Sequence, residues 1–208
     1  EAIYSRLTWR KNSNDIAVLR SQKKEGFKES TNEILAWKNL SIASGNIMTF
    51  DPTKNTSFPK KMRVLDSEPI RWSLNGNSIF FRIDKWEKAS EKPKKDEKKP
   101  PAKKKDLLEI PEIEIWNSSD VRAIPEQKSR PYENSRLSVW HFNKDAFVQL
   151  TNDRVKNIRF QNDSPILLAW DNKPYEFEGM FGRPSSDVYS INTVTGERKK
   201  LLNSVIYL

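Results

Sequence analysis

Three segments of this chain repeat one another, and the repeat limits what the chain can fold into. They are LTWRKNSNDIAVLR at residues 7–20, IRWSLNGNSIFFRI at 70–83 and IRFQNDSPILLAWD at 158–171. The aromatic residues Trp9, Trp72 and Phe160 align. Two positions before each stands Leu7, Ile70 or Ile158. Seven positions after stands Ile16, Ile79 or Leu167, and nine after stands Val18, Phe81 or Ala169. Apolar residues two apart on both sides of a polar centre describe paired strands with one face buried. The centres are Asn12-Ser13-Asn14, Asn75-Gly76-Asn77 and Asn162-Asp163-Ser164-Pro165. Asn and Gly there permit the positive φ that tight hairpin turns demand. Each segment is therefore expected to be a β-hairpin.

A second hairpin follows each of these. LSVWHFNKDAFVQL at 137–150 aligns with DVYSINTVTGERKKLL at 187–202, and the first copy is looser, running from Ile34 to Trp37 and from Ile47 to Phe50. Two hairpins make a four-stranded antiparallel unit, and repetition of that unit makes a β-propeller. A β-sandwich would show similar alternation and turns; the recurrence of aromatic, turn and apolar pair at matching offsets favours the propeller. The expected fold is all-β, a single partial propeller over residues 1–208 with about three to four four-stranded blades. The terminal NSVIYL could begin the fourth.

The aligned aromatics are 63 and 88 residues apart. Between the second and third lies KWEKASEKPKKDEKKPPAKKK, residues 85–105, with ten Lys, four acidic residues and three Pro. Removing those 21 residues brings the second spacing to 67, which places the run as an insertion within the second unit. Such a composition cannot bury enough apolar surface to order itself, so a disordered Lys/Pro-rich insertion is expected at about 85–106.

The run also explains the charge. The chain carries +9, and the run supplies +6 of it, leaving +3 for the other 187 residues. A nearly balanced remainder argues against a broad basic face for nucleic acid. Cysteine is absent, which excludes disulfides and thiolate metal sites. No apolar run approaches the length of a membrane span, and no signal peptide opens the sequence.

The pattern IxWSxxGxxIFF at residues 70–81 resembles the blades of TolB-like and prolyl-oligopeptidase-type propellers. FDPTKNTSFPKKMRV at 50–64, Trp116, Asp120 and Gln127 within 113–128, and then Tyr175, Asp187 and the Thr195-Gly196 turn resemble the propeller of bacterial serine peptidases of the prolyl oligopeptidase family, dipeptidyl peptidases among them. That resemblance implies a propeller capping a C-terminal α/β-hydrolase domain and gating peptide substrates, in the periplasm or outside the cell. It implies no cofactor. The nucleophile of such enzymes sits in a G-x-S-x-G turn, and none of the six Gly here starts one. This chain alone is therefore expected to catalyse nothing. The alternative is a stand-alone TolB-like propeller that binds a protein partner. Open sheet edges at either end would favour self-association.

Individual candidates remain. His141, the only histidine, lies in a strand pattern without a nucleophile signature and is expected at a surface or on an edge strand rather than in catalysis. Glu176 and Glu178 invite comparison with the paired glutamates that hold a substrate amino terminus in dipeptidyl peptidases. On a strand they would face one side, with Tyr175 and Phe177 inward. They are the weak candidates for substrate binding, and no catalytic or metal residue is assigned. Trp9, Trp37, Trp72, Trp140 and Trp170 are expected in the packing between sheets rather than as stacking platforms.

Overall fold

The computed structural model describes residues 2–23, 25–27, 30–40, 47–86, 135–155, 157–160 and 164–206. Strands form where apolar alternation predicts them. β1 (Tyr4–Trp9) and β2 (Ile16–Gln22) pair antiparallel with Trp9 opposite Ile16. Their turn places Asn12 at φ 56°, a left-handed value that Asn tolerates. β3 (Thr31–Trp37) and β4 (Ile47–Phe50) complete a sheet in the order β1-β2-β3-β4.

The second unit differs in one respect from the expected four strands. Its leading strand is broken into β5 (Met62–Val64) and β6 (Arg71–Trp72), which pair with opposite halves of β7 (Ser78–Lys85). The interruption starts at Leu65, which still donates its backbone N–H to Arg82 O at 2.9 Å. β8 (Arg136–His141) pairs with β7 from Ser78↔His141 to Ile83↔Arg136, and β9 (Ala146–Gln149) follows. The Lys-rich run thus falls in the connection between two strands that pair directly. Lys85 ends β7; residues 87–105, together with Trp116, Asp120 and Gln127, lie outside the described residues.

The third unit is β10 (Asn157–Arg159), β11 (Ile166–Asp171), β12 (Ser185–Asn192) and β13 (Arg198–Ile206), hydrogen-bonded in that order. Ile158 faces Ala169 across the first hairpin, as the repeat requires. Of its turn, residues 161–163 lie outside the described residues, and Ser164 Oγ accepts the Ile166 backbone N–H at 3.0 Å. The terminal segment does not begin a fourth unit. Residues 203–206 extend β13, with Val205 opposite Ser186 and Ile206 opposite Ser185. Pairing with β12 satisfies its backbone groups, which a lone strand could not do.

Packing follows the period of two. In β7, Ile79, Phe81 and Ile83 enter one core with Ala17, Leu19, Ile34, Ala36 and Phe50 of the first unit. Phe80, on the opposite face, enters a second core with Leu167, Ala169 and Ile191 of the third unit. The middle sheet is therefore buried on both faces, and each fully buried large apolar side chain stabilises it by about 1.5–3 kcal/mol. The same repeat positions always look toward the preceding unit: Ile79 and Phe81 toward the first, Leu167 and Ala169 toward the second.

The equivalent face of the first unit has no preceding unit among the described residues. On it Trp9 is 54% exposed, Leu7 63% and Ile47 59%, while Ile16 and Val18, at the positions of Ile79 and Phe81, are buried. The expectation that the repeat tryptophans pack between sheets thus holds for Trp72 and Trp140, both buried, and fails for Trp9. Trp37 and Trp170 are half-buried on the outward faces of the first and third sheets. Trp86 stacks at a tilt on Phe27, with centroids 4.7 Å apart.

Candidate functional site

A crevice of about 330 Å³ with several converging polar groups lies between the second and third sheets. It lies at the end of the sheets that carries the hairpin turns. Arg71 and Trp72 of β6, the turn residues Ser73, Leu74, Asn75 and Asn77, then Ser78, His141, Asn143, Phe160, Thr193 and Val194 line it. Its size is at the lower end of the range for small-ligand sites.

The sequence suggested a surface or edge-strand position for His141, but its strand is not an edge. β8 is paired on both sides, and the ring is half-buried and bridges two units. Nε2 lies 2.9 Å from Thr193 O, which can only accept, so Nε2 carries the proton. Nδ1 is then the acceptor for the Ser78 hydroxyl at 2.7 Å. The strand register that sets Ser78 opposite His141 makes this contact, across 63 residues of sequence. The pair has the donor order of a nucleophile and base, but the group orienting the imidazole is a neutral carbonyl, not a carboxylate. Its evident role is to staple the second sheet to the third.

Arg71 lies with its guanidinium carbon 4.3 Å from the Phe160 ring centroid, a cation–π contact. Phe160 also meets Phe80 edge-on at 5.0 Å. Asn75 Oδ1 accepts from Ser73 Oγ and from the Asn77 N–H. Lys38 reaches Asn77 Oδ1 at 3.1 Å from the first unit.

A second polar cluster sits at the opposite end of the third sheet. Asp171 and Asp187 are buried and directly opposed across β11 and β12. Like charges so placed repel, and each has a separate counterion. Arg154 meets Asp171 at 3.3 Å, and Lys200 meets Asp187 at 2.6 Å. Tyr175 donates its hydroxyl to Asp187 at 2.7 Å and the Ser204 backbone N–H donates at 3.2 Å. Hydrogen bonds from Lys200, then Tyr175, hold the Asp187 carboxyl below the usual carboxylate range, against the effect of burial. The same bonds raise the pKa of Lys200 and of Tyr175. Asp187 is matched by Lys200, Tyr175 and Ser204, while Asp171 accepts the Lys173 N–H on Oδ1 and holds its buried Oδ2 in the ion pair with Arg154 without a hydrogen bond. The Gly196 turn is a packing device: at φ 74° it lies against β9, where a Cβ would come within 2.9 Å of Val148 Cγ1. Nearby Arg198 donates to Leu150 O at 2.8 Å, and burial lowers its pKa.

Glu176 and Glu178 are not on a strand. A 3-10 turn, Lys173–Tyr175, runs into a short helix α1 (Glu176–Gly179). Pro174 at the start presets a helical φ. Residues two apart on a helix point about 200° apart, so the two carboxylates do not share a face. Phe177 is 57% exposed rather than inward. The structure gives this pair no common site. Among the described residues no group of three or more His, Asp or Glu is placed to hold a metal. No described helix is long and apolar enough to cross a membrane.

The fold defines a class first: a partial β-propeller, in which successive four-stranded antiparallel sheets pack face to face. Among solved structures it is similar to the acylaminoacyl peptidase of Pyrococcus horikoshii, at 14% identity and TM-score 0.43, over 98% of this chain and 25% of that one. It is similar to the β-propeller domain of the trilobed protease from Pyrococcus furiosus, at 12% identity and TM-score 0.39, over 97% and 43%. A third is an acylaminoacyl peptidase in complex with Z-Gly-Gly-Phe-chloromethyl ketone, at 15% identity and TM-score 0.40, over 96% and 25%. The chain therefore spans a quarter to less than half of the length of these proteins. No protein-family model matches the sequence, and no curated protein matches it.

Proposed function

We propose that this chain is the non-catalytic propeller portion of a serine peptidase of the prolyl oligopeptidase family. It caps an α/β-hydrolase domain of the same polypeptide and admits peptides by size, in the periplasm or outside the cell. The carrying observation is the serial packing. The second and third units each offer the same face to the one before, and on the first unit that face leaves Trp9 and Leu7 exposed with no described sheet opposite. A further sheet of the same repeat fits that face. The resemblance in residues 50–64 and 70–81 supports the family, and Tyr175, Asp187 and Gly196 serve here as sheet-building residues, as a propeller motif requires. The catalytic groups are assigned to the hydrolase domain because no G-x-S-x-G occurs in this sequence.

The test is a serine-directed fluorophosphonate probe applied to the purified chain and to the full-length gene product. The chain stays unlabelled, and the full product is labelled on a Ser outside residues 1–208 and cleaves peptides. Peptidase activity of the isolated chain that the probe abolishes would overturn the proposal. A full-length product with neither label nor activity points to a stand-alone binding propeller instead.

A further inference from the structure

The crevice between the second and third sheets carries a specific chemistry. Among the described residues Arg71 is the only charged side chain lining it, and no Asp or Glu among them does. Arg71 is exposed, and its one contact among the described residues is with the Phe160 ring. The ring holds the guanidinium plane while leaving its N–H fork unused. A guanidinium so held is preorganised for two parallel bonds to a carboxylate. Two amides add donors. Asn75 commits its Oδ1 to Ser73 and Asn77, so its Nδ2 hydrogens have no acceptor among the described residues. Asn143, exposed on the turn after β8, makes no hydrogen bond among them.

The sequence explains why the space exists here. At the first interface the aligned aromatic is Trp72, whose indole N–H donates to Thr8 O at 3.3 Å and whose ring meets Phe142 at 5.5 Å. At the second interface the aligned aromatic is Phe160, smaller and without a donor, and Arg71 stands where the first unit has Thr8. The aromatic surface is partly replaced by a cation, and room is left beside it.

We propose that this crevice binds a small carboxylate, with Arg71 as its anchor and Asn75 and Asn143 as flanking donors. The carboxyl terminus of a short peptide and a free small carboxylic acid share that chemistry. The anchor and its aromatic support belong to this chain, so binding does not require a hydrolase domain or the peptidase assignment. His141 supplies the reporter, because it lines the crevice and gives the chain's single set of imidazole resonances.

The experiment is an NMR titration of those resonances with N-acetylglycylglycine, its C-terminal amide and acetate. The peptide acid shifts them saturably in the millimolar range, and the amide does not. Arg71→Gln weakens the peptide acid by about tenfold, and Arg71→Lys, which keeps charge without the fork, falls between. Asn143→Ala, on a separate turn, weakens it several-fold with the fold intact. Acetate matching the peptide assigns the site to the carboxylate alone; acetate binding more weakly assigns it to a peptide terminus. An equal response to acid and amide, a shift that never saturates, or undiminished binding in both Arg71→Gln and Asn143→Ala would overturn the site.

Discussion

The two interfaces of the middle sheet are built from different materials. Toward the first unit, Phe50 lies within 5.3–6.0 Å of the rings of Phe58, Phe81, Trp140 and Phe147. Toward the third unit the core is mainly aliphatic, with Leu137, Val139, Leu150, Val155, Leu167, Ala169 and Ile191. Polar staples span both interfaces (Trp72 to Thr8 O and Asn32 to Val64 O at the first, His141 to Thr193 O and Arg198 to Leu150 O at the second), and the crevice opens beside those of the second. Aromatic rings fill an interface from many directions at once. The same repeat thus makes one joint rich in rings and one beside which a crevice opens.

The sharpest way to break this comparison is to empty each core. Phe50→Ala should cost about 3–5 kcal/mol in urea unfolding, because four ring partners lose contact at a site 1% exposed. Leu167→Ala should cost about 2–3 kcal/mol, because that residue borders the crevice and its neighbours can relax into the space. Equal losses would show that the two joints are packed alike.

The next effect depends on pH. The folded pKa of Asp187 is lowered, so its contribution is present above its unfolded value, about 3.9, and is lost as pH falls through the folded value. Lys200 is raised, so its contribution is present below about 10.4 and is lost as pH climbs through the folded value. Asp187→Asn should therefore destabilise the chain between those limits, and the gap from wild type should close below about pH 4. Denaturation midpoints measured at intervals of pH check this. A gap that persists in acid would mean that the hydrogen bonds, not the charge, matter.

The smallest effect on stability belongs to the open face. Trp9→Ser should change unfolding free energy by no more than about 0.5 kcal/mol, since exposed positions contribute little. It should instead reduce concentration-dependent association of the isolated chain, read by light scattering. Loss of several kcal/mol at Trp9 would mean that this face is covered within the chain itself.

Glu176 and Glu178 show where a local pattern misleads. Alternating aromatic and acidic residues suggested a strand, but Pro174 favours a helical start and Tyr175 is drawn to Asp187, twelve residues on. His141 shows the opposite limit. Nothing near it in sequence names a partner, and only the register of β7 against β8 brings Ser78 to it. The crevice was illegible for the same reason, since Arg71 and Phe160 come from different units.

What the sequence alone determined is most of the strands, their hairpins and their order in three sheets. Alternation with a period of two and turn residues at fixed offsets act within some fourteen residues, so they need no knowledge of neighbours. What the tertiary structure decided is which copy of a repeated position is core and which is surface. Trp9 and Trp72 occupy the same place in the repeat, yet one is 54% exposed and the other 6%. For this pair the difference is the sheet that lies opposite, and that is fixed only when whole units pack.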